Sequence, residues 1–197
     1  AILRGRPLTV DLGVVEREDG PHYFAVAAGT GFDAELMAET AAAAKRRWKM
    51  GAYVARALTT LHRVRTAPHR VIVDGQAHDV SAAMVLVANC GELFPPFLRL
   101  RQGIAPDDGW LDVVALRATG AVESVAAFWD LLRGVGGAGN DGAQGRVWFA
   151  RGRTVRVEVA APAPRPVQLD GEPTGTTPFE ARLVPGALTV LVEGPRP

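Results

Sequence analysis

The chain has 197 residues, of which 48% are hydrophobic and 22% are charged, values that are typical of a soluble globular domain. Its net charge of +1 gives no global electrostatic reason to bind nucleic acid or an anionic membrane. Its single cysteine, Cys90, excludes an internal disulfide and a CxxC metal or redox site, and it fits a reducing cytosol.

Short β-type runs, rich in valine, isoleucine and aromatic residues, dominate the chain, and most are bounded by glycine, proline, aspartate or histidine. In chain order they lie at residues 8–15, 23–28, 70–73, 84–89, 111–116, 146–149, 154–159, 167–169 and 187–192. In the run 154–159, polar residues alternate with valines. This period of two predicts a strand with one solvent-facing side.

Two stretches interrupt the β pattern. Residues 33–64 have a helical composition with Gly51 in the middle, which predicts two helices or one helix with a break. Residues 121–132 form a second, shorter helical stretch. Many short strands with few helices predict a mainly β (α+β) fold, an antiparallel β-sandwich with one long helical insertion and a second short helix. No linker divides residues 1–197, so we expect a single domain.

The most informative motif is Gln168-Leu169-Asp170-Gly171-Glu172, in which a short apolar strand enters an Asp-Gly turn. Glycine is favoured in such a turn because a positive φ costs it little. The turn projects Glu172 from a rigid edge, where a carboxylate can act as a general base. Taken alone, the same residues more often form a plain hairpin turn with a solvated glutamate.

A second motif covers residues 105–112, where Asp107, Asp108 and Asp112 lie within six residues around a glycine. Carboxylates and carbonyls in such a turn suit a hard cation such as Mg²⁺. The alternative is an acidic turn that precedes the strand at 111–116. A third motif, Lys45-Arg46-Arg47-Trp48-Lys49, places four cations in five residues, which suits either phosphate contacts or a solvated helix face.

Other signals fail on their context. Gly134, Gly136 and Gly139 spell GxGxxG but follow a predicted helix, whereas a dinucleotide fingerprint follows a strand. The histidines lack the spacing of metal ligands, and neither serine lies in a GxSxG motif.

The ordered set of motifs resembles the second domain of the diacylglycerol kinase and sphingosine kinase superfamily, most closely that of the soluble bacterial lipid kinases. The resemblance extends over nearly the whole chain. It is carried in order by residues 10–13 (VDLG), 28–34 (AGTGFDA), 73–75 (VDG), 87–90 (VANC), 104–112 (IAPDDGWLD) and 170–172 (DGE). The chain departs from the family at residues 92–98, where ELFPPFL replaces a glycine-rich segment and would contact either lipid or the core.

The resemblance implies roles for individual residues. Glu172 matches the base that deprotonates the lipid hydroxyl, and Gly171 and Glu172 lie where the family brings this turn to the nucleotide phosphates. Arg46, Arg47 and Lys49 lie near phosphate-contacting positions of sphingosine kinases. A nucleotide-binding role is therefore expected for all five residues.

The resemblance also implies a magnesium site. Asp108 matches a magnesium ligand of the family, and the backbone carbonyls of Ala105 and Trp110 match its companion ligands. Mg²⁺ is the expected cofactor, and ATP is the expected co-substrate.

The Gly-Gly-Asp-Gly-Thr motif that binds nucleotide in these kinases is absent from the sequence. We therefore expect this chain to be the C-terminal half of a kinase whose N-terminal nucleotide-binding domain lies outside it, and to be inactive alone. The complete enzyme would transfer the γ-phosphate of ATP to a diacylglycerol-like lipid, giving a phosphatidate-type product. Its expected partners are the lipid substrate and its own nucleotide-binding domain; a homodimer is left open.

The expected location is cytoplasmic, with transient contact to the membrane surface, because no apolar run approaches the roughly 20 residues that a spanning helix needs. Two alternatives remain at this stage. One is a non-catalytic sandwich that binds a lipid or a protein partner. The other is a kinase of the same superfamily that acts on a sphingoid base, an inositol lipid or a nicotinamide dinucleotide.

Overall fold

The computed structural model describes residues 5–31, 66–94, 98–99, 103–120, 122–123, 126–127, 145–160 and 163–192. Within these ranges the chain forms fourteen β-strands. They are β1 (Arg6–Arg17), β2 (Gly20–Phe24), β3 (Ala27–Gly31), β4 (Ala67–Val73), β5 (Gln76–Ala82), β6 (Met84–Ala88), β7 (Glu92–Phe94), β8 (Leu98–Arg99), β9 (Leu111–Leu116), β10 (Val147–Gly152), β11 (Thr154–Val159), β12 (Pro166–Leu169), β13 (Glu172–Thr176) and β14 (Phe179–Val192).

The strands form two six-stranded sheets and one small pair. The first sheet has the order β2-β1-β14-β11-β4-β5, and the second has the order β10-β9-β6-β3-β12-β13. Neighbouring strands run antiparallel throughout both sheets. Strands β7 and β8 pair only with each other among the described residues. The predicted mainly β, antiparallel sandwich is confirmed.

The core lies between the two sheets. Strand β11 of the first sheet turns Val155 and Val157 inward, and both are fully buried, whereas Thr154 and Arg156 are only partly buried. Strand β6 of the second sheet contributes Val85 and Val87 to the same apolar cluster. The alternation in residues 154–159 therefore marks a strand with one solvent-facing side, as predicted.

The middle of the second sheet, at strands β6 and β9, is buried on both of its faces. Strands β6 and β9 are buried at nearly every position, and a second apolar cluster includes Leu86, Ala88 and Val114. Because both faces exclude water, these strands are unbroken apolar runs rather than alternating ones. The second sheet is therefore a rigid platform for the residues at its ends.

Strands β1 and β14 continue beyond the sandwich as a two-stranded ribbon. The pairing extends from Val10 opposite Leu188 to Arg6 opposite Val192, beyond a bulge in β14. We call Arg6–Val10 and Leu188–Val192 the β1–β14 ribbon. No third strand pairs with it among the described residues, and Leu188 and Leu191 are exposed.

The two predicted helical stretches have different outcomes. The long helical insertion is not borne out by the described residues, because residues 33–64 lie outside them. Residues 120, 122, 123, 126 and 127 have helical backbone at the second predicted stretch, but the structure bounds no helix there. Within the described ranges, no helix has the length and apolar character needed to cross a membrane.

Candidate functional site

One end of the second sheet carries both of the motifs that the sequence singles out. Reading across paired strands from β10 to β13, the residues at this end are Arg151, Asp112, Ala88, Ala27, Ala28, Leu169 and Glu172. Four strand spacings separate Asp112 from Glu172, about 19 Å in all at about 4.8 Å per spacing. The two motifs therefore lie at the same end of the sheet but are too far apart to form one cluster.

The turn between β12 and β13 consists of Asp170 and Gly171, which have φ angles of 49° and 89°. The Asp170 carboxylate accepts hydrogen bonds from the backbone N–H groups of Ala25, Val26 and Ala27 at 2.7, 2.9 and 2.9 Å. These three amides belong to the segment that joins β2 to β3 and begins β3. The turn is thus held against a neighbouring strand by charge-assisted hydrogen bonds, which are stronger than those between neutral groups.

Two further contacts fix this turn. The Asp170 N–H donates to the carbonyl of Ala27 at 2.9 Å. The Gly171 N–H donates to Oε1 of Gln168 at 2.7 Å, and Gln168 is buried in β12. Gln168 lies in the motif that the sequence identified, but its contribution to the turn was not predicted.

Glu172 begins β13 immediately after this turn, and its side chain is exposed. Its carboxylate forms no hydrogen bond or ion pair with the described residues, while its backbone pairs with Leu169 of β12. A fixed backbone and an accessible carboxylate are the two features that a general base on this turn needs.

The second motif forms a loop before β9 that is organised around Asp108. Its Oδ1 accepts the Trp110 N–H at 3.0 Å. Among the described residues, its Oδ2 has only longer contacts, 3.4 Å to the Arg151 guanidinium and 3.5 Å to the Ala105 amide nitrogen. Oδ2 is therefore the less strongly bound of the two carboxylate oxygens.

Arg151 is the main partner of Asp112. Its Nε and one terminal nitrogen contact Asp112 Oδ1 and Oδ2 at 2.9 and 2.8 Å, and the same terminal nitrogen donates to the Gly103 carbonyl at 2.9 Å. The hydrogen bond to Asp112 is the main cause of a raised pKa for Arg151. This bidentate pair joins adjacent strands, β9 and β10, which sequence spacing alone did not reveal.

In the structure, Asp107, Asp108 and Asp112 do not form a three-carboxylate group. Asp112 is bound by Arg151 and Asp107 is exposed. Among the described residues, no group of three histidines, cysteines or carboxylates could hold a metal ion. The narrower magnesium site, with Asp108 and the carbonyls of Ala105 and Trp110, stays a prediction. The weakly held Oδ2 of Asp108 fits it, because a hard oxygen is the donor that Mg²⁺ prefers.

Asp11 connects this loop to the first sheet. It is buried in β1 opposite the bulge of β14, where Oδ2 accepts the Gly109 N–H at 2.9 Å and Oδ1 accepts the Gly186 N–H at 2.7 Å. The carboxylate therefore holds the 105–109 loop and the bend of β14 together.

Asn89 continues this connection toward the Asp-Gly turn. Its side-chain Nδ2 donates to the carbonyls of Asp11 and Ala25 at 2.9 and 3.0 Å, and its own N–H donates to the Val26 carbonyl. Since Ala25 also donates to Asp170, a continuous path of backbone and side-chain contacts links the Asp108 loop to the Glu172 turn. Asp11 and Asn89 lie in motifs that carry the family resemblance, but their roles as connectors were not predicted. The one sequence signal for such a role was a polar residue in, or directly after, an apolar strand.

The remaining predicted site residues lie elsewhere. Arg46, Arg47 and Lys49 lie outside the described residues. Of the unusual segment at 92–98, the described residues belong to strands β7 and β8, which pair with neither large sheet within the described ranges.

Comparison with known proteins gives a family match and a fold match. The model of the YegS C-terminal NAD kinase beta sandwich-like domain matches residues 26–192. An uncharacterised protein of Synechocystis sp. is 23% identical over 167 residues, covering 83% of this chain and 37% of that protein.

Two structures from Bacillus anthracis str. Sterne share the fold. A protein provisionally named a diacylglycerol kinase matches with a TM-score of 0.67 and 21% identity over 96% of this chain and 57% of its own. A second, described as a diacylglycerol kinase, matches with a TM-score of 0.62 and 19% identity over 96% of this chain and 55% of its own. The chain thus spans little more than half the length of these proteins.

Proposed function

Because the chain belongs to the family of YegS C-terminal NAD kinase beta sandwich-like domains, we propose that it is half of an ATP-dependent lipid kinase. This family agrees with the resemblance to C-terminal domains of the diacylglycerol and sphingosine kinase superfamily. The proposed reaction transfers the γ-phosphate of ATP to the hydroxyl of a diacylglycerol-like lipid. The similar B. anthracis proteins, whose names include diacylglycerol kinase, support this choice of acceptor.

The observation that carries this proposal is the rigid presentation of Glu172. The Asp170 carboxylate and Gln168 fix the turn, and the exposed Glu172 carboxylate follows it directly. In the proposed step, Glu172 accepts the proton of the lipid hydroxyl as its oxygen bonds to the γ-phosphorus. The bond from that phosphorus to the β–γ bridging oxygen breaks, and ADP leaves. Positioning supplies much of the rate in such transfers, and a base adds about 10²–10⁴-fold.

The proposed magnesium ligand is Asp108, through Oδ2, with the carbonyls of Ala105 and Trp110. When bound there, Mg²⁺ would neutralise the carboxylate and stabilise the 105–110 loop. The strand spacing puts Asp112 about 19 Å from Glu172. We therefore propose that the metal would stabilise this end of the sheet and would not contact the transferred phosphate. Asp11 and Asn89 would transmit that effect toward the turn.

The nucleotide would be bound by the other half of the protein, with Gly171 and Glu172 facing its phosphates. The β1–β14 ribbon offers a surface for that half, because Leu188 and Leu191 are exposed and the ribbon has no further partner strand among the described residues. The lipid would enter between the two halves from the membrane surface.

A non-catalytic binding domain is the second candidate. The pairing of Arg151 with Asp112, and its approach to Asp108, favours this candidate, because a guanidinium already neutralises the acidic motif. In this case Glu172 would be a solvated turn residue without a chemical role.

Transfer of radiolabelled γ-phosphate separates these candidates. We would incubate the whole protein, and in parallel residues 1–197 alone, with ATP, Mg²⁺ and vesicles that contain diacylglycerol. A sphingoid base, an inositol lipid and a nicotinamide dinucleotide would serve as competing acceptors. We expect labelled phosphatidate from the whole protein and none from the isolated chain. Labelling of another acceptor would reassign the substrate, and no transfer to any acceptor would favour the binding domain.

A further inference from the structure

Arg17 joins the end of the first sheet to the outermost strand of the second. It is the last residue of β1, and its two terminal nitrogens donate to the carbonyls of Thr176 and Thr174 at 3.0 and 2.8 Å. Both carbonyls lie on β13, the strand that begins with Glu172. A single guanidinium thus bridges the two layers of the sandwich at the strand that carries the proposed base.

The guanidinium lies against the backbone of β13. A Cβ added to Gly175 would lie 3.3 Å from Cζ of Arg17, so this glycine leaves the space that the cation occupies. Burial is the main cause of a lowered pKa for Arg17, and the nearby Asp19 opposes it. Nε is buried and has no hydrogen-bond partner among the described residues. The guanidinium is therefore partly buried against the β13 backbone, where it donates to carbonyl groups.

Strand β13 has few other supports. It pairs only with β12 among the described residues, and the register is irregular between Pro166 and Gln168. Four of its five residues are exposed. Asp170 and Gln168 hold the turn at one end of the strand, and Arg17 holds residues 174–176 at the other.

We propose that Arg17 is a positioning residue that sets the orientation of Glu172 by anchoring β13 to the first sheet. This inference rests on the proposed function of Glu172 as a base. Gly175 lies three residue steps along the strand from Glu172, about 10 Å at about 3.3 Å per step, so Arg17 acts through the strand and not as an ion-pair partner. Arginine suits this role because its planar fork donates to two carbonyls at once, which an ammonium cannot reproduce in the same geometry.

The test is a double-mutant cycle in the whole protein. We would measure kcat and KM for ATP in the wild type, Arg17→Lys, Glu172→Gln and the combined variant. We expect Arg17→Lys to lower kcat about tenfold with KM nearly unchanged, because a displaced base loses reactivity while nucleotide binding is kept. In the Glu172→Gln background, we expect Arg17→Lys to have no further effect. Arg182→Lys is the matched control, since Arg182 pairs with Glu16 on the exposed surface of the first sheet.

The outcomes of the cycle are distinct. If Glu172→Gln retains full activity, the proposed function of Glu172 fails. If Glu172→Gln is impaired but Arg17→Lys matches the wild type, only the role of Arg17 is overturned. Equal losses from Arg17→Lys in both backgrounds would mean that Arg17 affects the enzyme independently of the base, which also contradicts the proposal.

A second measurement reports on the anchor itself, even where activity is lost. Hydrogen exchange would follow the amides of residues 174–176 in Arg17→Lys and in Arg17→Met, which keeps the length of the side chain without its donors. We expect faster exchange there than in Arg182→Lys, with exchange in β6 unchanged. Wild-type protection at residues 174–176 in both variants would show that Arg17 does not anchor β13 and would overturn the inference.

Discussion

At the scale of single residues, Asp74 and Asp170 have the same structural role, which is to form a turn and to attach it to another segment. Each has a positive φ, 47° and 49°, and precedes a glycine in a hairpin turn. Each carboxylate also accepts backbone N–H groups from another segment: Asp74 from Arg153 and Thr154, and Asp170 from residues 25–27. Aspartate suits both tasks, because it tolerates a left-handed backbone and carries an acceptor on a short side chain.

Replacing Asp170 tests this role. We expect Asp170→Ala to lower the free energy of unfolding by about 2 kcal/mol, because charge-assisted hydrogen bonds to backbone amides are lost. Urea denaturation would measure the change. Asp79→Ala is the control; Asp79 is exposed and lies 3.9 Å from Arg70, so we expect a change within about 0.5 kcal/mol. Equal losses in the two variants would contradict the assigned role.

The Asp-Gly turn was predictable from the sequence, but the destination of its carboxylate was not. The need for a positive φ is local, so Asp170 and Gly171 were placed correctly in a turn. The amides that bind Asp170 lie 143–145 residues away in sequence. The pairing of Arg151 with Asp112 was missed for the same reason, since it depends on the register of β9 and β10.

His69 provides a pH-dependent prediction. It is buried in β4, with Nδ1 2.8 Å from the Ala67 carbonyl and Nε2 without a partner among the described residues. Burial is the main cause that lowers its pKa from the ordinary value of 6.5. The folded protein therefore keeps the imidazole neutral at pH values where the unfolded chain already binds a proton.

We expect the free energy of unfolding to decrease as the pH falls below 6.5, because protonation then favours the unfolded chain. Urea denaturation at about pH 7.5 and about pH 5.5 would measure the difference in stability. His69→Gln should show a smaller difference between the two pH values. His22→Gln, at a partly exposed position beside Asp19, should retain the wild-type difference. A wild-type pH dependence in His69→Gln would contradict this account.

At the scale of elements, the hydrophobic pattern predicted the strands well where it reflects the number of buried faces. The alternation in β11 and the apolar runs of β6 and β9 correspond to one and two buried faces. The hydrophobic pattern predicted the lengths of β1 and β14 less well. Both strands are longer than predicted: β1 extends at both ends, and β14 also includes residues 179–186, which pair with β1 and β11 inside the first sheet. Pro185 and Gly186 interrupt the hydrophobic pattern of β14, so the pattern marked only its outer part.

The pairing of β1 with β2 depends on a glycine. Gly13 lies opposite Phe24, and a Cβ on Gly13 would collide with the Phe24 ring, which is buried. We expect Gly13→Ala to destabilise the protein by about 3 kcal/mol, because the ring must leave a packed position. Thermal and urea unfolding would measure the loss. Gly145→Ala meets only one backbone oxygen at 3.4 Å and should change stability by less than about 0.5 kcal/mol. Near-neutral behaviour of Gly13→Ala would contradict the described packing.

At the scale of the whole molecule, the sandwich holds the 105–112 loop and the 168–172 turn at one end of the second sheet. Residues from the first sheet support that end: Asp11 binds the 105–109 loop, and Arg17 binds β13. The sandwich fold and the family were predictable, because they depend on patterns and motifs within continuous stretches. The separation of the two motifs was not, since it follows from the order of strands in the second sheet.

The most direct test of the central claim is the turnover of the whole protein with Glu172 replaced. We would compare wild type, Glu172→Gln and Glu18→Gln in transfer of phosphate from ATP to diacylglycerol; Glu18 is an exposed glutamate in the turn between β1 and β2. We predict that Glu172→Gln lowers kcat by about 100-fold or more while the protein stays folded and Glu18→Gln keeps wild-type activity. An active wild type with an equally active Glu172→Gln variant would contradict the assignment of Glu172 as the base.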